Sequence, residues 1–325
     1  MSSENGAGPR VLVVGETLVD IVHSPDGMVS EHVGGSPANV AMGIARLGHD
    51  TVLATSLGDD AHGTRCRGHV TDRGVAIENL DAGSHPTSTA VATLDDSGAA
   101  QYEFDLHWDL RAVDRLERFA HVHTGSIAAT LTPGASVVAD TLRDARAHAT
   151  ISYDPNARPT IMGDADTVRP VIEELISLSD VVKACDDDVE WLYAGQSLSD
   201  VMAAWGRLGP GLVVVTRGGD GVTYRVTSTG ESAEAPARVD RVTDTVGAGD
   251  SFMAGLVSGL LDAGLLGGPE ARGRLADADL DAVADAVDRA MCTSAITVVH
   301  AGAYAPTRDE LPTAPGTDPR RRGLQ

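Results

Sequence analysis

An α/β fold on a doubly wound, mostly parallel sheet, with a small β lid set into it, is what this sequence predicts, on three observations. Short apolar runs without alternation, such as Val11-Leu-Val-Val14 and Leu212-Val-Val-Val215, are the pattern of strands covered on both faces. Helical stretches separate such runs over nearly the whole chain, as the connections of a parallel sheet require. Between residues 87 and 110 the period falls to two. There, residues 89–94 and 101–106 alternate around the turn Asp95-Asp-Ser-Gly98, the mark of an inserted hairpin.

Composition narrows the chemistry. A chain of 325 residues with 42% hydrophobic but only 3% aromatic side chains builds its core from Val, Leu, Ala and Ile. A net charge of −22 argues against nucleic acid or an anionic membrane as a partner, because the field of the whole molecule repels both. Lys183 is the only lysine, so the Gly-Lys-Ser/Thr of a Walker A loop is absent. Cys66, Cys185 and Cys292 show no paired spacing that would suggest a disulfide framework or a zinc knuckle. There is no signal peptide or apolar run of membrane length, so a cytoplasmic location is expected.

In chain order, residues 1–9 are small and polar and read as a disordered N-terminus. The strand at 11–14 ends in Gly15 and leads to Glu16-Thr-Leu-Val-Asp20, an acidic residue just past the first sheet strand, where open α/β sheets bind ligands. In Gly34-Gly-Ser-Pro-Ala-Asn39, the two glycines permit close backbone approach and Pro37 suits a first helical turn. Asn39 offers both donor and acceptors from the start of a helix running to about Leu47, a combination suited to a polyhydroxylated ligand. A strand is expected over 51–58 and a helix over 61–73. His121 and His123 share one face of a strand, but no third ligand of suitable spacing accompanies them. Residues 151–158 end a strand in the polar cluster Asp154-Pro-Asn-Ala-Arg158. Residues 181–188 end another in Asp186-Asp-Asp188, which would charge a helix N-terminus. The run from Leu212 enters a glycine loop with Thr216, Gly218 and Gly221, and residues 276–296 read as a helix.

The densest signal is Asp244-Thr-Val-Gly-Ala-Gly-Asp-Ser-Phe252, followed directly by an apolar helical pattern to Leu261. Gly247 and Gly249 free the backbone to turn, so the amides around Ala248 can point outward together at a helix start, which makes an anion site. Asp250 sits in the first turn. A carboxylate there would repel a phosphate unless its task is to take a proton from the attacking group.

This nonapeptide resembles the C-terminal signature of the ribokinase-like carbohydrate kinases. Residues 15–20 and 34–39 resemble the N-terminal signature of the same family, in a form most similar to its fructokinase branch. Leu18 and Ser36 stand where ribokinases proper carry Asn and Lys, which makes ribose a weaker candidate.

The resemblance covers residues 10–311. It implies a ribokinase-like kinase domain with a lid from about 17–33 and 86–111, followed by a loose tail over 312–325. It also implies an ATP-dependent transfer of the γ-phosphoryl group to a primary hydroxyl of a small sugar, with fructose 6-phosphate as the expected product. A 2-keto-3-deoxygluconate, ribose or nucleoside kinase is the alternative among enzymes, and a catalytically silent sugar-binding regulatory protein the alternative outside them. By the same resemblance Asp250 is the base, and Gly247, Ala248 and Gly249 form the anion hole. Asp20, Gly34, Gly35, Asn39 and Arg158 meet the substrate. Lys183, Thr216, Gly218, Gly221 and again Gly249 meet ATP. Asp188 holds Mg²⁺ through water and Asp244 a K⁺ ion beside the 301–306 segment. A homodimer through the lid is also implied. The chain departs from the family pattern at Cys185 and Asp188, which replace Asn and Glu, and at Phe104, His107 and Trp108, which replace an aromatic stretch carrying an Arg.

Overall fold

Val11–Val14 (β1) sets the plan of the molecule. Val11 and Val13 enter one apolar cluster and Leu12 and Val14 another, so helices must cover the strand on both sides. The structure is a computed structural model that describes residues 8–95, 100–239 and 241–312. The expected turn at 95–98, the first seven residues and the tail from residue 313 fall wholly or mostly outside them.

In chain order the other strands are Leu18–His23 (β2), Val29–Gly34 (β3), Thr51–Thr55 (β4), Ala76–Asn79 (β5), Thr89–Leu94 (β6) and Ala100–Asp105 (β7). There follow His121–Gly125 (β8), Thr150–Asp154 (β9), Val181–Cys185 (β10), Leu212–Thr216 (β11), Val222–Val226 (β12) and Ser232–Ala235 (β13). The main sheet has the order β13-β12-β11-β10-β9-β8-β1-β4-β5. It is parallel from β11 to β5, and β12 and β13 add an antiparallel edge. From β1 the chain winds outward first through β4 and β5 and later, on the other side, through β8 to β11. That reversal opens a crevice at the carboxyl ends of the strands.

One face of the sheet is covered by the Ser36–Arg46, Ala248–Asp262 and Leu280–Thr297 helices, whose apolar residues join Val11 and Val13. The other carries Gly134–Ala145, Ala165–Leu178 and Leu198–Leu208. No helix among the described residues is long and apolar enough to cross a membrane.

The inserted segments pair as expected into a second sheet, β3-β2-β6-β7. Its register puts Asp20, His32, Ala90 and Phe104 on one face. Val19, Ile21 and Val33 on the other face pack over Leu57 and Cys66. Tyr102 and Phe104 stack at 5.9 Å and stay 60% and 40% exposed, leaving part of the first face uncovered.

Some boundaries move for local reasons. The strand expected over 51–58 ends at Thr55, where Leu57 is instead held by the Asn79 side chain. The helix expected from 276 begins at Leu280, because Asp279 accepts from the Ala282 amide and caps it there. A separate helix, Pro269–Ala276, precedes it. His121 and His123 are buried and hydrogen-bonded to Thr150 and Ser152 at 2.9 Å, and burial first of all pushes both imidazoles down to about 3. They are neutral members of the core at neutral pH.

Candidate active site

Asp20 lies past the end of β1, within β2 of the second sheet. The chain leaves β1 and rises at once into the small sheet, which lifts the carboxylate over the strand ends. Gly34 pairs with Leu18, diagonal to Asp20 on the ladder, and a Cβ there would sit 2.2 Å from Asp20 Oδ2, so any side chain would displace the carboxylate. Burial raises the Asp20 pKa, against the pull of His32 and Arg158. Gly35 answers a different need: it N-caps the Ser36–Arg46 helix at φ 110°, and a Cβ would meet Glu16 O at 2.4 Å.

That helix start presents Ser36 and Asn39 to a residue more than 200 positions away. Ser36 Oγ donates to Asp250 Oδ1 at 2.6 Å, and Asn39 Nδ2 donates to Asp250 Oδ2 at 2.8 Å. Asp250 is in the first turn of the Ala248–Asp262 helix, whose N-cap is Gly247 in the left-handed region at φ 75°. Its carboxylate is therefore aimed across the crevice rather than at its own backbone. Ala248 N bonds Thr245 O and Ser251 N bonds Gly247 O. The amides of Gly249 and Asp250 find no protein acceptor among the described residues. Free amides at a helix N-terminus have the polarity that suits an anion.

Lys183 is buried on β10 and bonded to Asp154 Oδ2 at 2.9 Å. A Cβ on Gly249 would lie 3.0 Å from Lys183 Nζ, so the ammonium lies close against the first turn of that helix. Burial acts to lower the Lys183 pKa, but Asp154 and Asp188 together raise it above the ordinary value. Asp154 has one partner and a second oxygen, Oδ1, that is buried without one, and burial pushes it up to about 6. On another wall, Asp244 Oδ1 accepts from Val246 N at 3.0 Å and Oδ2 from Gly302 N at 2.8 Å. These amide bonds hold its carboxyl below the usual carboxylate range and tie the glycine loop to the segment after Val298.

A cavity of about 1170 Å³ has Asp20, Gly35, Asn39, Arg158, Asp244, Gly249 and Asp250 in its lining, whereas Lys183 and Asp154 are not part of it. Arg158 reaches it from beyond β9, steadied by Asn156 Oδ1 at 2.9 Å. Thr216, Gly218 and Gly221 lie off this cavity, at the end of β11, where Thr216 Oγ1 donates to Ala184 O. Asp188 is buried, and both of its oxygens accept backbone amides. Its Oδ1 accepts from Ala157 N at 2.7 Å and its Oδ2 from Cys185 N at 2.9 Å, so the carboxylate locks the β9 loop to the helix after β10. A group of Cys185, Asp186 and Asp187 is close enough to hold a cation, and both aspartates are exposed.

The sequence did not single out Ser36, Asp154 or Glu16 for these contacts. Glu16 is buried just below Gly35, accepts from Ala128 N at 3.1 Å, and is raised by burial from 4.5 to about 7. Between those two pH values the folded chain holds a proton that the unfolded chain has lost, so stability falls as the pH rises through the interval. Glu16→Gln keeps an acceptor for Ala128 and removes the cost of ionisation. The variant is expected to match the parent near pH 4.5 and to exceed it at pH 8 by up to about 3 kcal/mol. Thermal unfolding at the two pH values checks this, and a parent that is the more stable of the two at pH 8 would refute it.

A model of the pfkB family carbohydrate kinases matches residues 9–310. The fructokinase of Escherichia coli is 32% identical over 270 residues, which cover 79% of this chain and 86% of that one. Among solved structures, the ATP-bound fructokinase of Xylella fastidiosa superposes with a TM-score of 0.79 at 23% identity, covering 93% of this chain and 96% of that chain. A double-mutant fructokinase of Vibrio cholerae O395, with fructose, ADP and potassium bound, superposes with a TM-score of 0.75 at 24% identity, covering 94% and 98%. At these identities the two structures speak to the fold.

Proposed function

The chain belongs to the pfkB family of carbohydrate kinases, and from that premise we propose that it transfers the γ-phosphoryl group of ATP to the primary hydroxyl of fructose, giving fructose 6-phosphate. The observation that carries this reading is the pair of bonds from Ser36 and Asn39 to Asp250. They bring the putting-together of the two distant motifs down to one carboxylate beside free helix amides. Asp20, Gly34, Gly35 and Asn39 hold sugar hydroxyls, and Arg158 meets the sugar or the phosphate. Asp250 accepts the proton of the attacking hydroxyl as its oxygen bonds to the γ-phosphorus and the bond to the β-phosphate oxygen breaks. The amides around Gly247, Ala248 and Gly249 stabilise the equatorial oxygens, where charge gathers in the transition state.

ATP lies along the Asp244–Gly249 loop. The exposed side chains of Val242, Val246 and Val299 offer an apolar bed for adenine, and Thr216, Gly218 and Gly221 flank the phosphates from β11. The donor set fits Mg²⁺ held by the nucleotide phosphates and by Asp188 through water, since both Asp188 oxygens already serve amides. When bound, that ion neutralises charge on the β- and γ-phosphates. Asp244 and the 301–306 segment would hold K⁺. The β3-β2-β6-β7 sheet acts as the lid that excludes water, the rival acceptor, and also serves as a homodimer surface. A cytoplasmic location belongs to the same reading.

The test is ADP release measured with fructose, ribose, 2-keto-3-deoxygluconate and adenosine, with and without potassium. The highest kcat/KM is expected with fructose. A higher value for another acceptor would move the specificity there, and sugar binding without ADP release from any of them would favour a silent regulatory protein.

A further inference from the structure

Asp250 is held from outside its own helix. It stands at the third position after the N-cap Gly247, where an acidic side chain ordinarily folds back onto the free amides of its own helix end. Here the carboxylate does not. Among the described residues its oxygens accept only from Ser36 Oγ at 2.6 Å and Asn39 Nδ2 at 2.8 Å, and the amides of Gly249 and Asp250 are left open. The helix that supplies both donors has no acidic residue in its first turn and no side-chain cap, so Asp250 also brings the negative charge that this second helix start lacks.

Packing sets the two donors in place. Ser36, Asn39 and Gly43 follow one face of their helix, and Asp250 and Ala254 one face of theirs. A Cβ on Gly43 would lie 2.5 Å from Ala254 Cβ, so the helices touch there with no side chain between them, and that contact fixes their separation close to the bonds. The donors differ in what they have left to give. Asn39 keeps a second N–H for the sugar, whereas the buried Ser36 hydroxyl has a single hydrogen, and Asp250 takes it.

We propose that Ser36 is the positioning residue of the general base: its hydroxyl pins Asp250 Oδ1 while Asn39 pins Oδ2, which aims the carboxylate across the crevice and keeps it off the amides that receive the phosphoryl group. The proposal deepens the kinase reading above and rests on it. Without Ser36 one oxygen is released, and the carboxylate turns toward the free amides of its own helix, as an acidic residue does at an ordinary helix start. That one rotation misaims the base and fills the anion hole, so the loss falls on turnover rather than on sugar binding.

The experiment uses the full chain and crosses Ser36→Ala with Asp250→Asn. Alone, Ser36→Ala is expected to lower kcat about 10- to 100-fold, the weight of one hydrogen bond to a charged group. KM for the sugar is expected to stay within about twofold, because Asp20 and Asn39 are untouched. In the Asp250→Asn chain the same change is expected to alter turnover by less than about threefold, because a residue that acts through the base has nothing left to act on. Thermal unfolding of all four chains keeps the comparison to folded protein. A fall of equal size in both backgrounds would overturn the proposal, since it would leave Ser36 a packing residue. Parent-level kcat in Ser36→Ala would overturn it as well. A parent chain that releases no ADP with any acceptor would sink the kinase reading itself, a result that neither Ser36 outcome can mimic.

Discussion

Asp250→Asn is expected to leave the fold and sugar affinity nearly intact and to lower turnover by about 10² to 10⁴, the share of a positioned general base. The substitution is nearly isosteric, and its remaining oxygen can still accept from Ser36 Oγ. The new amide group, however, faces the Asn39 amide, donor against donor, so that contact is lost. Losing one hydrogen bond costs about 1 kcal/mol, too little to unfold the chain. The kinetic loss is separate from that cost, because an amide cannot take the hydroxyl proton. Turnover at saturating ATP and sugar, paired with calorimetric sugar binding, checks the expectation. Turnover within threefold of the parent would remove Asp250 from the mechanism.

The parts of this site that could be read from sequence are those whose residue type declares its physics. Gly247 and Gly249 before an apolar helix announce a turn with exposed amides, and the paired glycines at 34 and 35 announce close approach, although only the structure shows that Gly34 makes room for Asp20 and Gly35 for Glu16 O. The apolar strands were legible because a strand buried on both faces cannot alternate. What escaped depends on partners distant along the chain. Ser36 looks like an ordinary first-turn serine until Asp250 is placed beside it. Asp154 looks like the end of a strand until Lys183 reaches it from the next strand. Asp188 carries a further task that its helix-start position does not show: it closes a capping box with Cys185 and accepts the Ala157 amide from the loop after β9. The place of Asp20 in a strand also rests on distance along the chain, because β2 pairs with β6, some 70 residues on, a contact that no local pattern encodes.

Gly247→Ala tests the anion hole itself, without touching any ionisable group. At φ 75° an alanine takes on left-handed strain of about 1–2 kcal/mol, and its Cβ would lie 2.6 Å from Ala303 Cβ and 2.7 Å from Ala303 Cα. Neither neighbour yields easily, because Asp244 ties the two loops together through the amides of Val246 and Gly302. The turn must therefore tilt, and the free amides of Gly249 and Asp250 tilt with it, away from where the phosphoryl oxygens gather charge. Misplacing one such donor costs about 10² to 10³ in kcat. The expected result is a fall of about 10², a raised KM for ATP because Ala303 also lines the cavity, and little change in sugar affinity. Gly219→Ala is the control. A Cβ at Gly219 meets nothing within 4 Å and its φ is not in the left-handed region, so turnover there is expected to stay at the parent's level. Equal turnover in the two glycine variants would mean that the geometry of this turn does not contribute to catalysis.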